Sequence, residues 1–600
     1  MRAVCALPAM MSKTAIEQGA LMDRIEQLES ALEIALPEVK HIRVEPARRL
    51  TGPGLIWDRP GAVLDIYFED VEPDILTGLW QKHARRVLDA LGWAGEDLIW
   101  RRFRGGVNLA ISAPPDQLYS AIFAAQTAWH FCAAELLQTG PMPFDDMIND
   151  LKTVMAQEEN PALIALIAAA SAHDVDILCD DHAVSLGHGV GSRIWPTQGL
   201  PAPQDVAWSD IHDIPLAFIT GTNGKTTTTR LCAAIARAAG KVVGLTSTDV
   251  VQVGDDILDR GDYSGPGGAR MVLRDPRVQI ACLEVARGGI LRRGLPSRRA
   301  RVAVVTNVAR DHLGEYGVMT LPELAQAKFA VARALAADGV LVLNADDPNV
   351  VLEAANVSAA IWWFSLDAAA PLITQARTQG QPCAYRKGDA LVFFDGTTET
   401  WSIAIADVPI TFSGAAKHNV RNALAALGVC TALGIPQNAI REGLTGFVSD
   451  PRDNPGRFNE FRYNGARVFI DFAHNPHSIA AVCDALSVFP STRRFLMLSQ
   501  PGDRSDQDID DAATTALQFQ PDLIVAAEIA DYLRGRALNE TPRLIEASAI
   551  AAGIKPENIL RASSPSKGAK VILDQVQPGD LVLLLVLSDR ERVFETLAGP

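Results

Sequence analysis

The sequence predicts an α/β protein built from parallel sheets covered by helices, preceded by an α+β domain. The chain has 600 residues, several times the size of a single hydrophobic core, so three or four domains are expected. From about residue 206, short β-rich apolar runs alternate with alanine-rich helical segments, which is typical of a parallel sheet. A second series of the same kind begins near residue 451.

The first part of the chain mixes strand and helix patterns. Ala62 to Phe68 is a β-rich apolar run and predicts a strand. Ile75 to Leu91 and Leu118 to Leu137 are longer apolar segments and predict helices. We therefore expect an N-terminal α+β domain over residues 1–155.

A different pattern follows this domain. Pro161 to Ala172 predicts a helix, and Pro196 to Pro203 is a proline- and glycine-rich break suited to a domain boundary. Together they predict a linker segment over residues 156–205.

Two α/β domains are predicted after the linker, over residues 206–450 and 451–600. In the first, the predicted strands are Leu216 to Ile219, Val278 to Leu283, Val302 to Val305 and Val340 to Leu343, and the predicted helices are Thr227 to Ala239 and Leu324 to Ala336. In the second, the predicted strands are Arg467 to Asp471, Arg494 to Leu498, Leu523 to Ala526 and Leu581 to Leu587.

Composition limits the classes of function. Acidic residues exceed basic ones by 71 to 55, which disfavours broad binding to nucleic acid or to anionic membranes. The apolar runs are too short to span a bilayer, and Met1 to Lys13 lacks the features of a signal peptide. The eight cysteines are scattered, without CxxC pairs or metal-like spacing. Reduced thiols in a cytoplasmic protein are expected.

The sharpest motif is a glycine-rich turn between a strand and a helix. The segment GTNGKT at residues 221–226 follows an apolar strand and precedes a helical segment. Such a turn directs backbone N–H groups and a helix N-terminus at phosphate oxygens, while Lys225 adds positive charge and Thr226 can bind Mg²⁺. A strict phosphate-loop pattern would place glycine at position 219, where this chain has Ile219, so the motif is a shortened variant.

Five further motifs follow in order, and together they resemble those of Mur ligases and folylpolyglutamate synthetases. After GTNGKT come TNVARDHLGEYG, LNADDP, GAAKHNVRNALAA, PGRFNEF and DFAHNP, which cover about residues 206 to 600. The resemblance implies a Mur-ligase-like central ATP-binding domain and a Rossmann-like C-terminal domain. The activity that it implies is that of an ADP-forming carboxylate-amine ligase.

Within this superfamily the sequence is most similar to the ligase half of cyanophycin synthetases. The likeness rests on GDYSGPGGARMVLRDP, LEVARGGILRRGL, QPGDRSDQDI and DYLRGRALNE. The upstream segments RRLTGPGLIWDRPG and HAVSLGHGVGSRI are similar to the N-terminal domain of those enzymes and to the segment that leads into their ATP-grasp domain. Here the chain passes from that segment almost directly to the phosphate loop, so the ATP-grasp domain is expected to be missing.

The resemblance implies a nucleotide site with catalytic and metal-binding side chains. The ATP-binding residues that it implies are Gly221, Thr222, Asn223, Gly224, Lys225, Thr226, Thr227, Asn344, Asn419, Asn422, Arg457 and Asp471. The catalytic residues that it implies are Lys225, Glu284, His312, Lys328 and Arg457. The metal ligands that it implies are Thr226 and Glu284 for Mg²⁺ and His312 for a second metal ion. Asp347 and His418 are expected near the nucleotide, and Asn307 and Asp311 in the loop that carries His312.

Several of these positions have an ordinary structural alternative. Lys328 matches the position of a carbamylated lysine in several Mur ligases; the alternative is an ordinary surface lysine. For Asp347 in LNADDP the alternative is a helix cap, and for Arg457 it is a surface ion pair. The residues expected to recognise the substrates are His474, Asn475, Asp503, Arg504, Arg534, Arg536 and Glu540.

The expected reaction joins an amino acid to a carboxylate of an acidic peptide or polymer through an acyl phosphate. The expected ligands are ATP, Mg²⁺, the amino acid and the carboxylate acceptor, and a homo-oligomer or a separate ATP-grasp partner is left open. Two other interpretations also stay open: a regulatory paralogue that binds nucleotide without ligating, and a ligase for folate or peptidoglycan precursors.

Overall fold

The computed structural model describes residues 24–598, which fold around four sheets. The expectation about Met1 to Lys13 lies outside these residues. Within them, no helix is both long and apolar enough to cross a membrane. The order of the elements confirms the α/β prediction, because two largely parallel sheets covered by helices follow an antiparallel sheet.

The N-terminal sheet is antiparallel, with the strand order β1-β3-β5-β4 and β2 pairing with β3. Its strands are β1 (Ile42–Val44), β2 (Arg48–Leu50), β3 (Gly61–Phe68), β4 (Leu98–Phe103) and β5 (Gly106–Ser112). Helices Pro73–Leu91, Leu118–Leu137 and Phe144–Glu158 bury alternate residues of β3 and β5 against one face. The opposite face carries Asp65, Arg101 and Asn108 and contacts the next part of the chain.

Residues 156–205, for which the sequence predicts a linker, contain a small folded unit. Helix Pro161–Ala172 packs against an antiparallel sheet around a core of its own that includes Leu166 and Leu186. The strands of this sheet are β6 (Ile177–Cys179), β7 (Ala183–Leu186) and β8 (Arg193–Pro196).

The central sheet has eleven strands in the order β12-β11-β10-β13-β9-β14-β15-β16-β17-β18-β19. The seven strands from β10 to β17 in this order are parallel, with antiparallel ribbons at both edges. The strands are β9 (Leu216–Thr220), β10 (Val243–Thr246), β11 (Val250–Val253), β12 (Asp256–Arg260), β13 (Ile280–Glu284), β14 (Ala300–Val305), β15 (Leu335–Asn344), β16 (Ala360–Ser365), β17 (Cys383–Lys387), β18 (Ala390–Phe394) and β19 (Glu399–Ala404).

Helices cover both faces of the central sheet, and each face has its own apolar core. One face is covered by Lys225–Ala238, Lys417–Ala432 and Gln437–Gly446. The other is covered by Pro266–Leu273, Arg287–Arg292, Leu321–Phe329 and Pro348–Ala354, while Pro371–Thr378 packs near the β16–β18 edge.

The prediction of one helix from Leu324 to Ala336 is wrong after Phe329. A 3-10 turn, Ala330–Ala334, follows the helix, and β15 begins at Leu335. Ala330 and Ala334 are buried in the core, and this apolar pattern does not distinguish a helix from a buried turn.

The C-terminal sheet has the order β20-β21-β25-β22-β23-β24 and is parallel except for β20. Its strands are β20 (Asn459–Tyr463), β21 (Ala466–Asp471), β22 (Arg494–Ser499), β23 (Leu523–Ala527), β24 (Ile559–Ala562) and β25 (Leu581–Leu585). Helices Pro476–Ser487, Asp506–Ala516 and Glu540–Ala551 cover one face, and Pro565–Leu573 and Arg590–Ala598 cover the other.

One buried carboxylate ties two helices of the N-terminal domain together. Helix Leu118–Leu137 has no side-chain cap of its own. Glu158 supplies one from the end of a neighbouring helix, because its carboxylate accepts from the N–H groups of Tyr119 and Ser120 at 2.7 and 2.8 Å and from the Ser120 hydroxyl at 2.7 Å. Its loss would leave these buried donors without their acceptor.

We predict that Glu158→Ala lowers the free energy of unfolding of this domain by about 2 kcal/mol, the cost of leaving buried donors unsatisfied. The measurement is urea unfolding followed by tryptophan fluorescence, to which the buried Trp80 and Trp129 of this domain contribute. Glu159→Ala is the matched control, because the neighbouring side chain is exposed. Equal midpoints for the two variants would exclude the capping role.

Candidate active site

The carboxyl end of β9 leads into a tight turn that opens helix Lys225–Ala238. Gly221 and Gly224 have positive φ angles of 149° and 83°. A Cβ atom on Gly221 would overlap the Thr306 hydroxyl, and one on Gly224 would overlap the Asn422 side chain. Thr306 and Asn422 occupy the space on two sides of the turn, so only glycine fits at these two positions.

Hydrogen bonds hold the turn against the loop after β14. The Thr222 N–H donates to the Asn307 carbonyl and the Asn223 N–H to Asn307 Oδ1, both at 2.9 Å. Asn307 Nδ2 donates back to the Asn223 carbonyl at 2.8 Å. Lys225 Nζ donates to the Thr222 carbonyl at 2.9 Å. The protein's own hydrogen bonds therefore hold the turn, with a helix N-terminus behind it that favours anions.

A cavity of about 570 Å³ lies beside the turn and is lined by residues of both the central and the C-terminal sheets. Parallel strands of one sheet end at one edge, so the loops that follow them meet there. The predicted residues in its lining are Thr222, Asn223, Gly224, Lys225, Thr226, Thr227, Glu284, Asn307, Asn344, Asp347, His418, Asn419, Asn422, Arg457, Asp471 and His474. The predicted residues outside it are Gly221, Asp311, His312, Lys328, Asn475, Asp503, Arg504, Arg534, Arg536 and Glu540.

Other polar lining residues, among them Thr248, Arg421 and His477, were not predicted from the sequence. Thr248 follows β10, so the rule that ligands bind beyond the carboxyl ends of parallel strands could have identified it. Arg421 and His477 come from helices, and the sequence carries no comparable signal for them.

Glu284 is the last residue of β13 and is 2% exposed. Its Oε2 accepts from the Thr248 N–H at 3.3 Å, whereas no described group donates to its Oε1. Burial raises the pKa of Glu284, against the opposing effects of Lys225 and Arg457. A buried carboxylate oxygen without a donor, close to the Thr226 hydroxyl, fits a hard divalent cation such as Mg²⁺, which prefers oxygen ligands.

Lys328 is also buried, at 4% exposure, which excludes an ordinary surface lysine. Its Nζ donates to the Gly221 carbonyl at 2.8 Å. Burial, followed by repulsion from Lys225, lowers the pKa of Lys328 well below its usual value. The Lys328 side chain thus stabilises the glycine turn through this hydrogen bond, and its lowered pKa favours the uncharged amine.

His312 belongs to a second group of polar side chains. The ligand-capable atoms of Asp311, His312 and His474 lie within 4.8 Å of one another, and Glu284 is not a member of this group. Burial lowers the pKa of His312 to about 4, so its imidazole is neutral at pH 7. One carboxylate and two imidazoles suit a divalent cation. In this arrangement, however, the Arg504 guanidinium contacts both His312 Nε2 and Asp311 Oδ1 at 3.1 Å.

The C-terminal domain contributes the opposite wall of the cavity. Arg457 Nη2 lies 3.5 Å from the Thr226 hydroxyl and 3.3 Å from the Thr248 hydroxyl, and its guanidinium stacks on Phe472. Among the described residues, Arg457 forms no ion pair, so it is not part of a surface salt bridge. The two walls also meet through a reciprocal hydrogen-bonded pair, Asn223 and Asn475, at 3.0 and 3.2 Å.

Asp471 ends β21 at the same wall. Its two oxygens accept from the Phe458 and Ala473 N–H groups, both at 2.7 Å. Burial nevertheless raises the pKa of Asp471 to about 6, against the opposing effect of Arg457. Its charge therefore changes near pH 6.

Two polar side chains of LNADDP, residues 343–348, form hydrogen bonds with backbone groups near the cavity. Asn344 Nδ2 donates to the Thr306 carbonyl at 2.8 Å. Asp347 caps helix Pro348–Ala354 by accepting from the Asn349 and Val350 N–H groups, as the structural alternative expected.

The predicted substrate residues beyond β22 and β23 mainly contact one another. Arg534 pairs with Asp503, and Arg536 pairs with Glu540 at 2.6 Å. Arg536 also donates to the carbonyls of Gly502 at 3.0 Å and Arg504 at 2.6 Å. Of this set, Arg504 is the residue that reaches the central domain, and Arg536 braces the loop that presents it.

Comparison with known proteins identifies the family of the central and C-terminal domains. A family model for the Mur ligase middle domain matches residues 219–430, and one for the Mur ligase glutamate ligase domain matches residues 456–585. Cyanophycin synthetases from Geminocystis herdmanii and Synechocystis are 39% and 36% identical, over 66% and 65% of this chain. The chain spans 44% of the length of each of these relatives.

Among solved structures, E. coli FolC in complex with ADP is similar to this chain, with 19% sequence identity and a TM-score of 0.46. The match covers 64% of this chain and 89% of the FolC chain. The two family models together match more than half of the described residues, in the order in which the central and C-terminal sheets occur. The chain therefore belongs to the Mur ligase superfamily, and its ligase domains are similar to those of cyanophycin synthetases.

Proposed function

We propose that this protein is an ATP-dependent ligase that joins an amine to a carboxylate through an acyl phosphate and releases ADP and phosphate. The observation that carries the proposal is the cavity between the two sheets. One wall has the phosphate-binding turn and the Glu284 carboxylate, whose Oε1 has no donor among the described residues, and the other has Arg457 and Asp471. The relatives named cyanophycin synthetase support the same reaction class.

In this proposal the turn binds the phosphates of ATP. Lys225 and Arg457 neutralise charge as the γ-phosphoryl group moves to the acceptor carboxylate. Thr226 and Glu284 hold Mg²⁺, which when bound offsets phosphate charge. Asp471 accepts from the ribose hydroxyls, and Asn344, Asn419 and Asn422 surround the base.

The second group of side chains is proposed to act where the amine meets the acyl phosphate. His312 is neutral at pH 7 because burial lowers its pKa to about 4, so its imidazole can bind a cation. Lys328 is proposed as a site of carbamylation, because its lowered pKa favours the uncharged amine that reacts with carbon dioxide. His474, Asn475 and Arg504 are proposed to contact the incoming amino acid.

An acidic acceptor is proposed because arginines surround the loop that carries His312. Arg287 donates to the His312 carbonyl and pairs with Glu315, and Arg292 donates to the Tyr316 hydroxyl at 3.0 Å. Arg310, one residue before Asp311, lies 3.6 Å from Asp508, and its side chain is 61% exposed. Such a surround attracts carboxylates. An aspartyl peptide or polymer is the proposed class, with an amino acid as the amine.

The proposed reaction is tested by ADP and phosphate release from the purified protein with Mg²⁺ and ATP. The assay covers a matrix of amino acids and acidic acceptors, including β-aspartyl peptides and polyaspartate, with mass spectrometry of the products. We expect ADP with one pair of substrates and a product mass that shows one condensation. ATP binding without turnover for any pair, with or without an ATP-grasp partner, would instead favour a regulatory paralogue.

We predict that Lys225→Ala lowers turnover by about 100-fold or more, because one charge on the transferring phosphoryl group is lost. Circular dichroism checks that the fold is unchanged. Lys241→Ala, at an exposed position after the same helix, is the matched control and should keep the wild-type rate. Unchanged turnover in Lys225→Ala would remove this residue from the proposed site.

We predict a pH dependence of ATP binding that arises from Asp471. Its pKa is about 6, so the carboxylate gains a proton as the pH falls through 6 and loses an acceptor for ribose hydroxyls. The KM for ATP should therefore rise between pH 7 and pH 5. In Asp471→Asn, the KM should be higher at pH 7 and should lack this change.

The measurement for Asp471 is the ratio of the variant KM to the wild-type KM at each pH. Titration of ATP itself is common to both proteins and cancels in this ratio. We expect the ratio to fall as the pH decreases. A ratio that is constant from pH 5 to pH 8 would contradict the role proposed for Asp471.

A further inference from the structure

The loop that carries His312, residues 311–318, has an unfavourable backbone conformation. Four of its residues have positive φ angles: His312 (49°), Gly314 (109°), Tyr316 (54°) and Gly317 (73°). His312 and Tyr316 have side chains that disfavour this region. Such a conformation persists only where the surroundings enforce it, and much of the enforcement comes from the N-terminal sheet.

Gly317 is bound through both of its backbone groups by that sheet. Its carbonyl accepts from Arg101 Nη1 at 3.0 Å, and its N–H donates to the Tyr67 hydroxyl at 3.3 Å. A Cβ atom at Gly317 would lie 2.5 Å from the Phe103 ring and 2.8 Å from Asn108 Nδ2. The loop therefore fits closely against the N-terminal domain, without space for a larger residue.

Arg101 is itself held in place for this contact. Its Nη1 also donates to Asn108 Oδ1 and its Nη2 to Gln326 Oε1, both at 3.1 Å. It forms no ion pair with any residue of the described chain. The guanidinium is thus used to join a strand of one domain to a loop and a helix of the next.

The same sheet reaches the helix that carries Lys328. The Arg104 N–H donates to Glu323 Oε1 at 2.9 Å, and Glu323 completes the capping box at the start of helix Leu321–Phe329. The Arg48 guanidinium also lies 5.1 Å from the centre of the Tyr316 ring. Both elements that bring His312 and Lys328 to the site are therefore supported from the N-terminal domain.

We propose that the N-terminal domain is a positioning element for the reaction centre, with Arg101 and Tyr67 as its positioning residues. They act through Gly317 and hold the His312 loop in its left-handed conformation. The expected effect on turnover rests on the proposed function. The structural coupling between the domain and the loop is independent of that function. The domain then contributes to turnover even where it touches no substrate.

The test compares Arg101→Ala with Arg102→Ala in the full chain. Arg102 is the next residue of β4, but its side chain is exposed and pairs with Asp74 of its own domain. Hydrogen exchange of peptides that cover residues 307–320 reports on the loop without any substrate. We expect faster exchange in Arg101→Ala and wild-type exchange in Arg102→Ala.

Kinetics provide the second measurement. We expect kcat to fall about 10- to 100-fold in Arg101→Ala, as for other groups that orient a ligand, and the Mg²⁺ concentration for half-maximal rate to rise. The KM for ATP should stay within about twofold, because the phosphate-binding turn keeps its own contacts. Arg101→Lys should be intermediate, since lysine keeps the charge but cannot make the same set of bonds.

Tyr67→Phe serves as the conservative variant, since it removes one hydroxyl and keeps the ring. Faster exchange of the loop in this variant or in Arg101→Ala supports the coupling. Unchanged exchange and unchanged kcat in both would overturn it. Faster exchange in a protein whose wild type forms no ADP would leave the coupling intact and instead reject the proposed ligase reaction.

Discussion

The site depends on a short glycine turn that must fit between a strand, a neighbouring loop and a helix. Gly221 and Gly224 lack side chains because Thr306 and Asn422 occupy the space that these would need. Parallel strands end at one edge of the central sheet, so Glu284 and Asn344 come to the same side as the turn. The second sheet meets this edge with its own carboxyl ends, and the cavity is the space left between them.

Burial gives three groups protonation behaviour that they would not have in water. The pKa of Glu284 is raised and that of Lys328 is lowered, while His312 is neutral at pH 7 because its pKa is about 4. Each buried group without a full set of partners destabilises the folded chain. The cores on both faces of the two sheets offset this cost. Ligands that bring opposite charge would stabilise the folded state by binding to it alone.

Much of the fold could be predicted from local patterns, because buried strands are short apolar runs with clear ends. The bounds of β3 and β22 differ from the prediction by one residue each. The end of helix Leu321–Phe329 could not be predicted, since buried alanines serve a helix and a 3-10 turn equally well. Motif resemblance identified the glycine turn, Glu284, Arg457 and Asp471 in the cavity lining, but not which side chains cross between domains.

The interdomain partners are far apart along the chain, which explains why sequence reasoning did not pair them. Arg504 and His312 are separated by 192 positions, and Arg101 and Gly317 by 216. Local periodicity carries no information at such distances. For this reason Arg504, Arg534 and Arg536 looked equivalent in the sequence. In the structure, Arg504 contacts the central domain, and Arg536 donates to the Arg504 carbonyl.

The connection between β8 and β9, residues 197–215, has an evolutionary consequence. β8 belongs to a small sheet with its own core, β9 belongs to the central sheet, and Gln198 and Gly199 between them are exposed. Exposed connections of this kind tolerate inserted domains. A folded module could enter or leave a gene here without interrupting either sheet. One recombination event could thus change what precedes the central sheet while the strands that line the cavity keep their order.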